Sequence, residues 1–322
     1  MDRYGNVMGK RRLFLVWSCL VSVILPGMAQ AGRLIDYVNP FVGTDGYGNV
    51  YPGAQIPFGG IQMSPDTDSK YYDAASGYKY KHPTLLGFSL MHLSGTGIPD
   101  LGDFLFIPGT GEMKLEPGTH EEPGKGYRSR YSHEREWASP NYYAVELADY
   151  GVKAEMTSGI RSGMFRFTYP ASEKAFIMID MNHTLWQSCE WSNLRMENDS
   201  TITGYKLVKG WGPERHIYFA AIFSRKLTGL RFMQDGKPVV YNTSRFRSCY
   251  EAWGKNLMAC ISFDTKAGEE VIVKTAISAV STNGAKNNMG ELSGLTFDEL
   301  KVKGETLWEK ELGKHVLTAD PR

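Results

Sequence analysis

Net charge, cysteine and long apolar runs are all scarce in this sequence, and each shortage closes off a class of function. The 36 basic and 35 acidic side chains leave a formal charge of only +1 over 322 residues. Such a balance provides no basic stripe to lie along phosphates, so no nucleic-acid partner is expected. Disorder is not expected either, because 42% of the residues are hydrophobic and disorder needs low hydrophobicity with high net charge. Of four cysteines, Cys19 lies in an N-terminal leader, which leaves Cys189, Cys249 and Cys260. An odd number cannot complete a disulfide framework. Cys249 and Cys260 could pair across adjacent strands in an oxidising compartment, or remain buried thiols. No CxxC or Cys/His spacing points to structural zinc.

The longest apolar stretch, Leu13 to Leu25, is too short to span a bilayer, which takes about 20 residues. Lys10-Arg11-Arg12 precedes it and Ala29-Gln30-Ala31 follows it, the order of a secretory signal with a small-x-small cleavage site. Residues 1–31 are therefore expected to be a cleaved signal peptide, the mature protein to be exported, and no stable membrane span to remain. Cys19 continues into Leu20-Val21-Ser22-Val23 and is a poor lipid acceptor. Losing Arg3, Lys10, Arg11, Arg12 and Asp2 removes +3 from +1, so the mature chain would carry −2.

What is abundant is turn and strand chemistry: 35 Gly, 15 Pro, 18 Tyr and 15 Phe favour many short strands joined by turns. Residues 143–147 alternate apolar and polar, Asp149-Tyr150-Gly151 turns, and Val152, Ala154 and Met156 resume the period of two. Further strands are predicted over 164–169, 175–180, 216–223, 230–233, 239–241, 258–263 and 271–279. Alternation at this spacing predicts an antiparallel β-sandwich over 32–281, since parallel strands read as continuous apolar runs. After about residue 281 the pattern changes. Thr296 with Glu299 forms a capping box, and Leu300, Leu307, Trp308 and Leu312 recur at helical spacing. Residues 282–322 are thus a linker and an amphipathic helix whose stripe either packs back on the sandwich or begins a helical domain.

Common catalytic signatures are missing. There is no phosphate-binding GxxxxGK[ST] loop and no HExxH helix, and Gly87-Phe88-Ser89 lacks the second Gly of a nucleophile elbow. The unusual region is 39–108, where Gly and Pro alternate with aromatics and short polar residues. So much Gly is entropically costly in a mere connector. It suits backbone that approaches a ligand closely, and Tyr72, Asp73, His92, Ser94 and Thr96 are residue types that bind sugars. The same composition also serves tight turns in β proteins. Trp186 and Trp191 either flank such a cleft or pack.

The order of motifs in this region narrows the choice. Asn39-Pro40-Phe41-Val42-Gly43-Thr44 leads to Pro52-Gly53-Ala54, Pro57-Phe58-Gly59 and Gln62-Met63-Ser64-Pro65-Asp66. Ser76-Gly77-Tyr78 and Gly87-Phe88-Ser89-Leu90-Met91-His92-Leu93-Ser94-Gly95-Thr96-Gly97 follow. In combination this resembles the N-terminal domain of glycoside hydrolase family 92, the calcium-dependent exo-acting α-mannosidases. Agreement runs over roughly residues 33–315, including Tyr131 to Glu134, Ala138 to Tyr143, Asp149 to Gly151, Gly204-Tyr205, Gly210-Trp211 and Ile277-Ser278. Asn49 stands where many members carry His, Tyr72 where relatives often have Trp, and Leu90-Met91 where a more polar pair is common. These departures bear on substrate preference.

The resemblance implies a supersandwich of the galactose-mutarotase kind packed against an (α/α)6 catalytic barrel that would begin after Arg322, in family members more than twice this length. The implied reaction removes terminal α-mannose, 1,2-linked for example, from N-glycans or mannans with inversion. It uses a Glu acid and an Asp base about 6.5–9.5 Å apart to admit a water. Acid, base and calcium ligands would come from the barrel, supplied in cis or in trans, so no catalytic residue and no metal ligand is assigned here and this chain alone is expected to be inactive. Its part would be one wall of the mannose pocket: Tyr72 as aromatic platform, Asp73 and His92 as polar contacts, Ser94, Gly95, Thr96 and Gly97 as a close-approach loop, and Trp211 beside them. The host would be a bacterium, with the protein periplasmic, on the cell surface or secreted. The alternatives are a stand-alone carbohydrate-binding sandwich, or an enzyme using carboxylates of its own such as Asp45, Asp73, Asp100 or Asp103.

Overall fold

A computed structural model describes residues 32–70, 72–240 and 251–315. The signal-peptide reading of 1–31 and the thiol of Cys249 lie outside these residues. Among the described residues the chain is an antiparallel β-sandwich, as the alternation predicts. One sheet has seven strands, in the order 64–66, 87–89, 105–110, 172–180, 257–265, 229–234 and 237–238. The other has nine, in the order 251–254, 188–198, 201–209, 215–223, 269–278, 162–169, 152–158, 142–147 and 136–139.

The hairpin read around Asp149-Tyr150-Gly151 is present, closing with Leu147 opposite Val152 and with Gly151 at φ +62°. In the strand Ser162–Tyr169, Phe165, Phe167 and Tyr169 are buried while Arg166 and Thr168 are partly exposed, the period of two at work. The buried rings meet the opposite sheet: Phe106 lies 5.0 Å from Phe165, and Phe104 4.5 Å from Phe219, centroid to centroid. This aromatic layer is the core.

Two features depart from the sequence reading. The strand expected at 239–241 is instead the short Lys237–Pro238, and residue 241 lies outside the described set. The long hairpin Ser188–Asn198 with Thr201–Lys209 carries no clean alternation, because bulges shift its register at Cys189/Trp191 and Met196/Asn198. Each bulge moves the inward face by one residue and scrambles the pattern.

Cys189 and Cys260 are buried free thiols, and burial pushes the Cys260 thiol up to about 12, which makes it unreactive.

Strands end at Ser278, and two α-helices follow: α1 (Thr282–Asn288) and α2 (Phe297–Leu312). The capping box forms as expected, with the Thr296 hydroxyl accepting from the Glu299 amide and the Glu299 carboxylate from the Thr296 amide. The helix packs back on the nine-stranded sheet. Phe297 and Leu300 join Met164 and Leu292 in a small apolar cluster. The Trp308 indole donates to the Gln55 carbonyl at 2.7 Å, and Glu309 accepts from the amides of Leu34 and Ile35. Leu307, Trp308 and Leu312 stay only half-buried.

Candidate functional site

At one end of the sandwich several loops converge on a buried chain of charges. It starts at Asp66, on a short edge strand paired with Gly87–Ser89. Asp66 is fully buried; His92 Nε2 lies 2.8 Å from its Oδ1 and His183 Nε2 2.7 Å from its Oδ2. Burial alone would raise this carboxyl, but the facing His92 ring and hydrogen bonds from both histidines outweigh that. The group is held well below the ordinary carboxylate range. His92 Nδ1 faces the Gln62 carbonyl at 2.9 Å, an acceptor only, which places a proton on that nitrogen.

The chain of charges continues through the backbone of His183. Lys206, fully buried on strand Thr201–Lys209, donates to the His183 carbonyl and lies 3.4 Å from Asp103. Arg215 donates to Asp103 at 2.6 Å and reaches within 3.7 Å of Asp100. Asp100 in turn accepts from the amides of Leu101 and Trp211 at 2.6 and 3.1 Å. Burial would raise the Asp103 carboxyl too, yet Lys206 and Arg215 hold it low. Desolvated charges persist only when paired this completely. The segments carrying Asp66, His92, Asp100, His183 and Trp211 are therefore fixed relative to one another. Gly77 belongs to the same design: its φ is +84°, and a Cβ there would fall 2.0 Å from Asp66 Oδ1.

On this base stand exposed aromatics. Tyr72 and Trp186 are 51% and 54% exposed and meet edge to face with centroids 5.9 Å apart. Gly97 passes beside Tyr72, where a Cβ would lie 3.4 Å from the phenol oxygen. The Gly95 amide donates to the Asn49 carbonyl at 2.7 Å, and Gly95 at φ +72° faces open space. Ser94 is exposed, while half-buried Thr96 turns its hydroxyl to the Ile98 carbonyl. Trp211 is 61% exposed and is anchored only through its amide to Asp100.

The structure thus brings Tyr72, Gly97 and Trp186 together and ties Trp211 to them through the ion network. His92 differs from its sequence-based part as a sugar contact. Its side chain is completely buried, with both ring nitrogens engaged inside the ionic frame. Asp73 lies in a single 3-10 turn at 72–74, and its side chain is outside the described set. Sequence reasoning misses Asp66, His183 and Lys206: the Ser-Pro-Asp motif is visible, but nothing local pairs its Asp with histidines 26 and 117 positions away.

Of the four carboxylates that could form an internal catalytic pair, Asp73 has its side chain outside the described set and the other three are engaged elsewhere. Asp100 and Asp103 are bound into the buried network, and Asp45 caps its own turn by accepting from the Gly46 amide. Among the described residues no three His, Cys, Asp or Glu side chains converge as metal ligands. No step here is routed through a metal. Nor is any helix among them long and apolar enough to cross a membrane.

The class the geometry defines is a two-sheet antiparallel sandwich domain that carries loop-borne aromatics over a buried ionic frame. The particular family follows from comparison: the glycosyl hydrolase family 92 N-terminal domain matches residues 37–278, and the chain belongs to that family. A solved family GH92 alpha-mannosidase from Bacteroides thetaiotaomicron is 86% identical, superposes with a TM-score of 0.88, and is matched over 90% of this chain and 39% of its own. The same enzyme has been solved with mannoimidazole bound. A family GH92 inverting mannosidase from Bacteroides thetaiotaomicron VPI-5482, 24% identical with a TM-score of 0.74, shares the fold over 88% of this chain and 37% of its own. An uncharacterized secreted glycosidase of Arthroderma benhamiae is 30% identical over 142 residues, which is 43% of this chain and 18% of that protein. The chain therefore spans well under half the length of these relatives.

Proposed function

We propose that this chain is the sugar-gripping front part of an exported, inverting α-mannosidase, forming one wall of the pocket for a terminal mannose. The observation that carries the reading is the exposed Tyr72–Trp186 pair beside Gly97, in a chain 86% identical to an alpha-mannosidase solved in complex with mannoimidazole. An aromatic face offers area to the C–H face of a sugar at little entropic cost, and backbone next to glycine accepts close approach. Tyr72 is the platform, Gly95 and Gly97 admit the ring, Ser94 and Asp73 supply polar contacts, and His92 and Asp66 hold the floor.

The general acid, the base and the calcium ligands belong, on this reading, to a helical (α/α)6 barrel acting in cis or in trans. The basic, apolar and small-x-small sequence of residues 1–31 supports export by a cleaved signal peptide into the periplasm, to the cell surface or beyond, and the secreted relative supports it further. The substrates are mannose-containing glycans, with α-1,2-linked ends as the first to try.

The test is calorimetric titration of the chain with methyl α-mannoside. Tyr72→Ala is expected to weaken binding at least fivefold, about 1 kcal/mol for loss of one stacking face, with unchanged melting. Equal affinity of wild type and Tyr72→Ala would remove the wall assignment.

A further inference from the structure

Beside Trp186 the molecule opens into a second recess, a cleft of about 790 Å3. It lies between the loop 181–187, the segment 115–117 and the turn at 233–236. Its polar lining includes Asp180, Asn182, Gln187, Asp235 and Asn256, and Trp186 lines it too. Asp180 accepts only from the Tyr127 hydroxyl and the Asn182 amide, and Asn256 donates to Asp235 at 2.7 Å, so lone pairs and amide hydrogens remain to offer a ligand.

Trp186 is the informative residue. Its φ is +63°, a conformation that bulky side chains rarely adopt. Nevertheless the loop is pinned on every side. The Trp186 amide donates to the Ser69 carbonyl, the Leu185 amide to Leu101, the Gln187 side chain to Pro99, and the Thr184 hydroxyl to Gln187. Lys206 clamps His183 from below. A left-handed backbone held this firmly under a half-exposed indole is strain of the kind that clusters where a ligand is met.

We infer that Trp186 and this cleft bind the inner sugars of a neutral oligosaccharide whose terminal mannose lies against Tyr72. The ligand class follows from the lining. Three carboxylates, Glu116, Asp180 and Asp235, against Lys70 disfavour a phosphate or sulfate, and amides with carboxylates along the lining disfavour an apolar ligand. Planar amides and carboxylates beside an indole match the hydroxyl edges and C–H face of pyranose rings. The edge-to-face pair lets one glycan touch Tyr72 and Trp186 in succession. The inference rests on the proposed mannose wall for the identity of the sugar.

The experiment titrates the 322-residue chain with methyl α-mannoside and with α-1,2-linked mannotriose by calorimetry. Wild type is expected to bind the triose at least tenfold more tightly than the monosaccharide. Trp186→Ala should erase that advantage, bringing the triose down to the affinity the same variant shows for the monosaccharide, whereas Trp186→Phe should keep most of it. Trp186→Gly, which relieves the backbone, should also erase it while melting no lower than Trp186→Ala, so that lost binding is not lost folding. Equal affinity of wild type for the two sugars, a triose advantage that survives Trp186→Ala, or failure of both sugars to bind would each overturn the inference. The mannose wall is judged separately: it fails if Tyr72→Ala leaves monosaccharide binding intact, whatever Trp186 does.

Discussion

Asp66 shows how a single residue can govern a surface it never reaches. Its carboxylate is buried between two imidazoles, and through His183 the same frame reaches Lys206, Asp103 and Arg215. Removing one partner of a buried pair leaves the others desolvated and unpaired, so Asp66→Asn is expected to cost about 3 kcal/mol in urea unfolding. Its pH dependence has a definite sign. The folded-state value lies below the unfolded one, so the stabilisation is complete above about pH 4 and fades as pH falls further towards the folded value. The deficit of Asp66→Asn should therefore hold steady from about pH 6 to pH 4 and narrow below it. A deficit that stays constant down to about pH 2 would show that protonating this carboxylate costs the fold nothing. Gly77 is bound to the same spot, because both its φ and the Asp66 oxygen exclude a side chain.

Among the elements, α2 combines a legible start with a docking that no local signal reveals. Its capping box was readable from Thr296 and Glu299 alone, because capping is settled within four residues. Its seat was not. Gly304 is buried against Asn141, where a Cβ would fall 1.7 Å from Nδ2, and Asn141 itself binds Thr157 and Ser158. Gly304→Ala is therefore expected to raise intrinsic helix propensity by about 1 kcal/mol yet undock the helix. Hydrogen exchange over 297–312 should speed up at least tenfold in that variant. Unchanged protection would mean that the helix is held by Trp308 and Glu309 without help from that close approach. The hairpin 142–158 was legible because its alternation and turn are local, whereas the bulged pair 188–209 was not, since each bulge reverses which residues face inward.

For the whole molecule, the distribution of charge separates scaffold from catalyst. Asp100 and Asp103 are locked in ion pairs with Arg215 and Lys206. A pair so engaged can neither hold a water for attack nor release a proton to a leaving group. The chain alone is accordingly expected to hydrolyse no aryl α-mannoside, with or without added calcium, while still binding mannosides. Turnover by the purified chain that is lost in Asp103→Asn would reverse this division of labour.

The sequence by itself determined the class of the molecule: period-two alternation, turn residues and the ordered family motifs depend on neighbours a few positions apart. It also marked the loops of residues 39–108 that contribute to the candidate site. Which residues of those loops face solvent was decided only in three dimensions. His92 and Trp186 are both ring side chains in motif-rich loops, yet one is sealed beneath the surface and the other stands out from it. The reason is that burial here depends on partners far away in sequence. Asp66 meets His183 across 117 positions and Asp103 meets Arg215 across 112, and no local pattern records such a pairing.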